Sequence, residues 1–327
     1  MASSKQLIAM IRSHAAGDDD RFLAIADVIA ADARKAGHHR MANEIGMLVG
    51  SLREETDERR VASRPTMIAA PRGELASLVR ASYPETRLSD VVLTDDVEKR
   101  LRKIVREHRE RELLAEKGLL PRRKVLLSGP PGTGKSLTAA AIAGDLGLPL
   151  FTVQLDGVIT KYMGETAAKL RMVFDAMQGT RGVYFFDEVD ALATKRGAEN
   201  DIGEARRMLN SFLQFLDEES SGSLVIAATN HQELLDRAFF RRFEAIVRYD
   251  LPPPDHVRRI LAQRLPQFEL TEVSWAEVSV AAEGLSQADI VAAADDAARD
   301  AVLEESGRLT GATIMQALVD RKLPDRN

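Results

Sequence analysis

Eight consecutive residues constrain this chain more than any others: Gly129-Pro130-Pro131-Gly132-Thr133-Gly134-Lys135-Ser136. They follow the apolar run Val125–Leu127 and open a helical segment, Leu137–Leu146. The glycines let backbone N–H groups turn inward around phosphate oxygens, and the helix N-terminus adds partial positive charge. Lys135 supplies a point charge for the β- and γ-phosphates, and the Ser136 hydroxyl can hold Mg²⁺. An ordinary glycine-rich turn is the alternative, but the strand–loop–helix setting favours a phosphate cradle. The candidate nucleotide contacts here are Pro131, Gly132, Thr133, Gly134, Lys135, Ser136 and Leu137.

Around this loop, apolar runs alternate with helical patterns. The strand candidates are Val125–Leu127, Phe151–Leu155, Val183–Phe186, Leu224–Ala228 and Ala245–Tyr249. Near-continuous apolar strands separated by helix-length segments predict an α/β fold, a parallel sheet covered on both faces. After Pro252-Pro253-Pro254 the pattern turns helical: Asp255–Leu265, Trp275–Ala282, Ser286–Glu305 and Thr310–Arg321. Residues 1–60 carry apolar positions at helical spacing, such as Phe22, Ile25, Val28 and Ile29, and predict a short N-terminal helical domain. Residues 61–85, with Pro65, Pro71, Gly73 and Pro84, read as a linker. The expected domains are therefore 1–60, a large domain over 86–250 and a small helical domain over 251–327.

Three further clusters carry chemistry. Val183-Tyr184-Phe185-Phe186 is a buried strand that delivers Asp187 and Glu188 at its C-terminal end, where open α/β sheets bind ligands. Asp187 is placed to hold Mg²⁺ through water, and Glu188 can polarise an attacking water as general base. A solvated acidic pair is the bland alternative, and a phosphate loop about fifty residues upstream argues against it. Asn230, after Ala227-Ala228-Thr229, can position that water, although asparagine at a strand end is common in turns. Arg241 and Arg242, flanked by aromatics, could stabilise charge developing on a phosphate; alone, they would read as two surface arginines.

Taken together, these elements resemble the AAA family of ATPases, in the branch with a single ATPase module. Gly129–Ser136 matches the Walker A motif, Phe186-Asp187-Glu188 the end of Walker B, Asn230 the sensor-1 residue and Arg241/Arg242 the paired arginine fingers. The resemblance covers about Leu88 to Arg299 and implies a P-loop NTPase with a five-stranded parallel sheet in the order 5-1-4-3-2. It implies ATP and Mg²⁺ as ligands, a small helical lid, and an adenine pocket lined by Asp90, Val91 and Val92. Gly284-Leu285-Ser286-Gln287-Ala288-Asp289 resembles the family's entry to its last large helix, which brings Ala288 to the nucleotide. Gln287 stands there in place of a usual glycine. Lys161-Tyr162-Met163-Gly164-Glu165 is similar to the pore loop of hexameric protein remodellers, in which Tyr162 and Met163 would grip an extended peptide. A tyrosine merely packed between strand and helix is the competing reading of Tyr162. The fingers imply a ring, a hexamer, with each active site shared between neighbours. The helical N-region, linker and pore-loop segment also resemble bacterial AAA ATPases that accompany a subtilisin-like serine protease in phage-defence modules.

Composition bears on partners and compartment. The net charge of −5 argues against bulk attraction to nucleic acid or anionic membrane. The arginine-rich segment between Lys99 and Arg111 is interleaved with Glu98, Glu107, Glu110 and Glu112, which predicts a salt-bridged, solvated helix. There is no cysteine, which suits a reducing cytoplasm. No segment reaches the roughly 18 apolar residues of a membrane span, and the N-terminal apolar stretch Leu7–Ile11 is too short for a signal peptide. The expected location is the cytoplasm.

Overall fold

The computed structural model describes residues 25–26, 29–30, 71, 73–159, 163–193, 201–268, 270, 273–303 and 309–322, with backbone alone at 163 and 201–206. The chain divides into two compact units, Met1–Pro65 and Thr66–Asn327. In the first unit, Ile25, Ala26, Ile29 and Ala30 are helical, and Ala26, Ile29 and Ala30 are buried. The rest of the helical expectation for residues 1–60 lies outside the described residues.

The second unit is built on a six-stranded sheet. Its strands are β1 (Val79–Ser82), β2 (Lys124–Ser128), β3 (Leu150–Val153), β4 (Val183–Phe186), β5 (Leu224–Thr229) and β6 (Ala245–Arg248). They lie side by side in the order β1-β3-β4-β5-β2-β6. The five strands from β2 to β6 are parallel, and counted by themselves they follow the order 5-1-4-3-2. The expectation of a five-stranded, wholly parallel sheet is corrected by β1, which runs antiparallel to β3 with Val79 opposite Val153 and Ser82 opposite Leu150.

That edge strand falls in the segment read as a linker. Leu75–Leu78 forms a helical turn before it, and Leu78 and Val79 are buried. Four residues are too few for a two-residue period to stand out in a sequence, and strand pairing here depends on β3 being present.

Alternation along the strands divides their side chains between two cores. Val125, Leu127, Val183, Phe185, Leu224, Ile226 and Ala228 pack with Leu101, Ile104, Ala139 and Ile142 on one face. Leu126, Tyr184, Phe186, Val225 and Ala227 pack with Phe174, Phe212 and Phe239 on the other. Both faces are covered, so each strand is apolar at nearly every position rather than at every second one. On the aromatic face Phe186 meets Phe212 edge-on at 5.2 Å and stacks with Phe174 at 5.5 Å. This packing immobilises the strand that carries Asp187 and Glu188 at its end.

Beyond β6, the helices Pro254–Arg264, Trp275–Ala282, Gln287–Leu303 and Gly311–Lys322 pack on one another around Ile260, Leu261, Ile290, Ala294 and Ile314. Val92, from the segment before the charged helix, belongs to this third core. The charged helix itself, Asp95–Arg109, engages its arginines in ion pairs. Arg100 meets Asp96 at 2.8 Å, Arg102 meets Glu98 at 2.8 Å and Arg106 meets Glu110 at 2.9 Å, all one turn apart. No helix among the described residues is long and apolar enough to cross a membrane.

Candidate nucleotide-binding site

β2 ends at Ser128, and the chain turns through residues 129–134 into the helix Lys135–Leu146. Gly132 sits at φ +74°, and a Cβ there would lie 2.4 Å from Ser286 Oγ, so only glycine fits both the conformation and the space. The Gly132 carbonyl accepts a hydrogen bond from the Ala288 N–H at 3.0 Å. The start of the helix Gln287–Leu303 is thus docked on the loop, and a reciprocal cap fixes its geometry. The Asp289 carboxylate accepts from the Ser286 hydroxyl at 2.6 Å and from the Ser286 N–H at 3.1 Å. The Asp289 N–H in turn donates to Ser286 Oγ at 3.2 Å.

Lys135 folds back over the loop, and its Nζ donates to the carbonyls of Gly129 at 2.8 Å and Pro130 at 2.7 Å. Burial lowers its pKa below the usual lysine value, opposed by the nearby carboxylates of Asp187, Asp190 and Glu188. Ser136 Oγ donates to Asp187 Oδ2 at 2.8 Å, and Asp187 Oδ1 accepts from the Glu188 N–H at 3.0 Å. A hydroxyl and a carboxylate that converge are hard oxygen donors suited to Mg²⁺, which keeps several waters and takes substrate phosphates as further ligands. Among the described residues there is no group of three or more His, Asp or Glu side chains able to cage a metal. Such a sparse ligand set fits Mg²⁺ bound together with phosphate better than a metal held by protein alone.

Glu188 adopts φ 50°, and among the described residues it alone, apart from glycines, has positive φ. The left-handed conformation costs about 1–2 kcal/mol, and the chain holds it by entering the short helical turn Val189–Leu192 directly afterwards. An open cleft of about 430 Å³ brings Lys135, Ser136, Asp187, Glu188, Asn230 and Ala288 together, with Pro131, Gly132, Gly134 and Leu137 also on its walls. A second, narrower crevice is lined by Val92, Thr133, Tyr249, His256 and Gln287. Of the expected adenine-side residues, Val92 therefore lines a crevice next to Thr133, and Val91 is buried in the sheet core. The Asp90 carbonyl accepts from Gln263 Nε2 at 2.5 Å.

Asp190 escaped the sequence reading. It is buried, and its Oδ1 accepts from the Thr229 hydroxyl at 2.7 Å and from the Asn230 N–H at 3.3 Å. A signal was available: an acid flanked by Val189 and Ala191-Leu192 in an apolar stretch implies a buried carboxylate with partners. Arg241 and Arg242 follow the helical turn Arg237–Phe240, and neither lines the cleft. Arg242 instead pairs with Asp217 at 2.6 Å. Tyr162 lies outside the described residues, and Met163 begins the helix Met163–Gly179.

The family model "ATPase family associated with various cellular activities (AAA)" matches residues 125–251. The AAA family ATPase y4kL of Sinorhizobium fredii is 33% identical over 322 residues, covering 98% of this chain and 96% of its own. ATP-dependent zinc metalloprotease FtsH 1 of Symbiobacterium thermophilum is 35% identical over 235 residues, which are 69% of this chain but 40% of that protein. Among solved structures, the crystal structure of the FIGL-1 AAA domain superposes with a TM-score of 0.58 at 25% identity, covering 74% of this chain and 85% of that one. A relative aligned along almost its entire length, and a family model that spans the strands of the site, place this chain in the AAA family of ATPases.

Proposed function

We propose that this chain hydrolyses ATP and works in a ring of like subunits that remodels a protein partner. The observation that carries the ATPase reading is the Ser136–Asp187 contact at 2.8 Å, which shares one cleft with Lys135, Glu188 and Asn230. The loop N–H groups and Lys135 bind the β- and γ-phosphates. Ser136 and Asp187 would hold Mg²⁺, which would supply positive charge against the phosphates. Glu188 takes the proton of a water whose oxygen bonds to the γ-phosphorus while the bond to the β–γ bridging oxygen breaks, releasing ADP. Asn230 orients that water without competing for cation. The helical domain covers the nucleotide as a lid, through Ala288 on the phosphate loop.

Arg241 and Arg242 do not line their own subunit's cleft. We assign them to the nucleotide of a neighbour, which makes the working unit a ring, by family analogy a hexamer. Within the ring, Tyr162 and Met163 form the loop that grips an extended segment of the protein partner. The ion pairs that occupy Arg100, Arg102 and Arg106 favour a protein over a nucleic acid as that partner. Extending the resemblance further, the partner is a subtilisin-like protease and the setting is cytoplasmic phage defence.

The test is to follow ATP hydrolysis, assembly size with and without ATP, and remodelling of the partner in one set of variants. Tyr162→Ala should keep ATPase activity and assembly while losing remodelling. A fully functional Tyr162→Ala chain would instead make ATP-driven assembly itself the output.

A further inference from the structure

Gln287 is the first residue of the helix Gln287–Leu303 and is half-buried. Its Oε1 comes within 3.3 Å of the point where a Cβ on Gly134 would lie, which places the amide over the phosphate loop. It lines both hollows of the site: the cleft with Lys135, Ser136 and Asp187, and the narrow crevice with Val92, Thr133 and His256. Among the described residues its side-chain amide has no hydrogen-bond partner, although it carries two donors and an acceptor. The amide opens onto the cleft, so its two donors and its acceptor are available to a ligand there. Its neighbour Ala288 is tied to the Gly132 carbonyl at 3.0 Å, so the helix start that carries the amide is held beside the phosphate loop.

A nucleotide with its phosphates on Gly132–Ser136 and its base directed to the crevice, which at about 30 Å³ must widen to admit it, would pass its sugar and α-phosphate beside Gln287. We propose that Gln287 is a nucleotide-binding residue that donates its amide N–H to an oxygen at the junction of ribose and α-phosphate. This rests on the nucleotide-site reading above and extends it. Through this bond the helical domain senses the nucleotide with a side chain, not only with the backbone of Ala288. Because ATP and ADP share that junction, the contact serves both alike.

The experiment is calorimetric titration of the full chain and of Gln287→Ala and Gln287→Glu with ATP and with ADP, beside thermal melting with and without nucleotide. Gln287→Ala should bind both nucleotides about tenfold more weakly, the loss of one hydrogen bond to a charged group. Its melting temperature without nucleotide should stay unchanged. Gln287→Glu, which sets an anion against the phosphates, should bind more weakly still. Gln287→Ala binding as tightly as the unaltered chain, or tighter, would show the side chain to be a plug and overturn the proposal. A loss confined to ATP would overturn the placement at the shared junction. Failure of the unaltered chain to bind either nucleotide would overturn the nucleotide reading itself, a separate outcome.

Discussion

Asp190 accepts a hydrogen bond from the Thr229 hydroxyl at 2.7 Å, and this contact ties the helical turn that follows β4 to the end of β5. The same carboxylate oxygen holds the Asn230 N–H at 3.3 Å, so the residue assigned to the water is placed by the strand that carries the proposed base. Asp190→Ala leaves the buried Thr229 hydroxyl and the part-buried Asn230 N–H without this acceptor, at a cost of about 1–3 kcal/mol. Urea unfolding should show that loss, and ATP turnover should fall while ATP binding persists. Unchanged unfolding would mean that Thr229 and Asn230 find other partners.

Gly144 tests whether packing outweighs helix propensity. It lies inside the helix Lys135–Leu146, where alanine would gain about 1 kcal/mol on propensity. A Cβ at this position would meet the Thr86 carbonyl at 2.1 Å and the Pro84 carbonyl at 2.9 Å. Both obstacles are backbone, so overpacking of about 1–3 kcal/mol should win. Gly144→Ala should therefore lower the melting temperature; a rise would show that the Pro84–Thr86 segment yields.

His108 gives the fold an acid limit. Burial pushes its pKa below the ordinary 6.5, with the Arg122 carbonyl opposing and the Arg181 charge assisting. Its Nε2 lies 2.6 Å from the Arg122 carbonyl, which a neutral ring satisfies by donating, and its buried Nδ1 has no partner among the described residues. The unfolded chain thus binds the proton more readily than the folded one. The stability contributed by the neutral ring is present above pH 6.5 and is lost as pH falls through the lowered folded value. Chemical unfolding between neutral and acid pH should show a component of the loss that disappears in His108→Gln.

The arginine pair separates catalysis from stability. The Arg242–Asp217 pair, 2.6 Å long, is 47% and 39% exposed at its two side chains, so breaking it should cost less than about 1 kcal/mol. Arg241→Ala with Arg242→Ala should then melt near the unaltered chain yet lose hydrolysis by about 10³-fold, even at high protein concentration. Mixing this variant with a Glu188→Gln chain should restore part of the activity if the arginines act on a neighbour.

Much of the second unit was legible because its signals are local. Val183–Phe186 and Trp275–Ala282 have the bounds read from their apolar patterns, and the other parallel strands differ by a residue or two at their ends. What escaped depends on distant partners. Val79–Ser82 is a strand only because β3 offers its edge, and four residues carry no period. The apolar neighbours of Asp190 mark it as buried, but its partner is known only once Thr229 is beside it. Gln287 could be marked as a departure from a pattern, but its position over Gly134 follows from how the helical domain docks. The arginine-rich segment read as one solvated helix ends at Arg109, where the chain bends into Arg111–Ala115.

Glu188, held at φ 50° beside the Ser136–Asp187 pair, is assigned to activate the attacking water. The most direct test of that role is ATP turnover and ATP affinity of Glu188→Gln, measured on the same preparation. The amide keeps the shape but removes the base, so turnover should drop by about 10²-fold or more with ATP binding retained. Hydrolysis near the unaltered rate in a chain that still binds ATP would contradict the account.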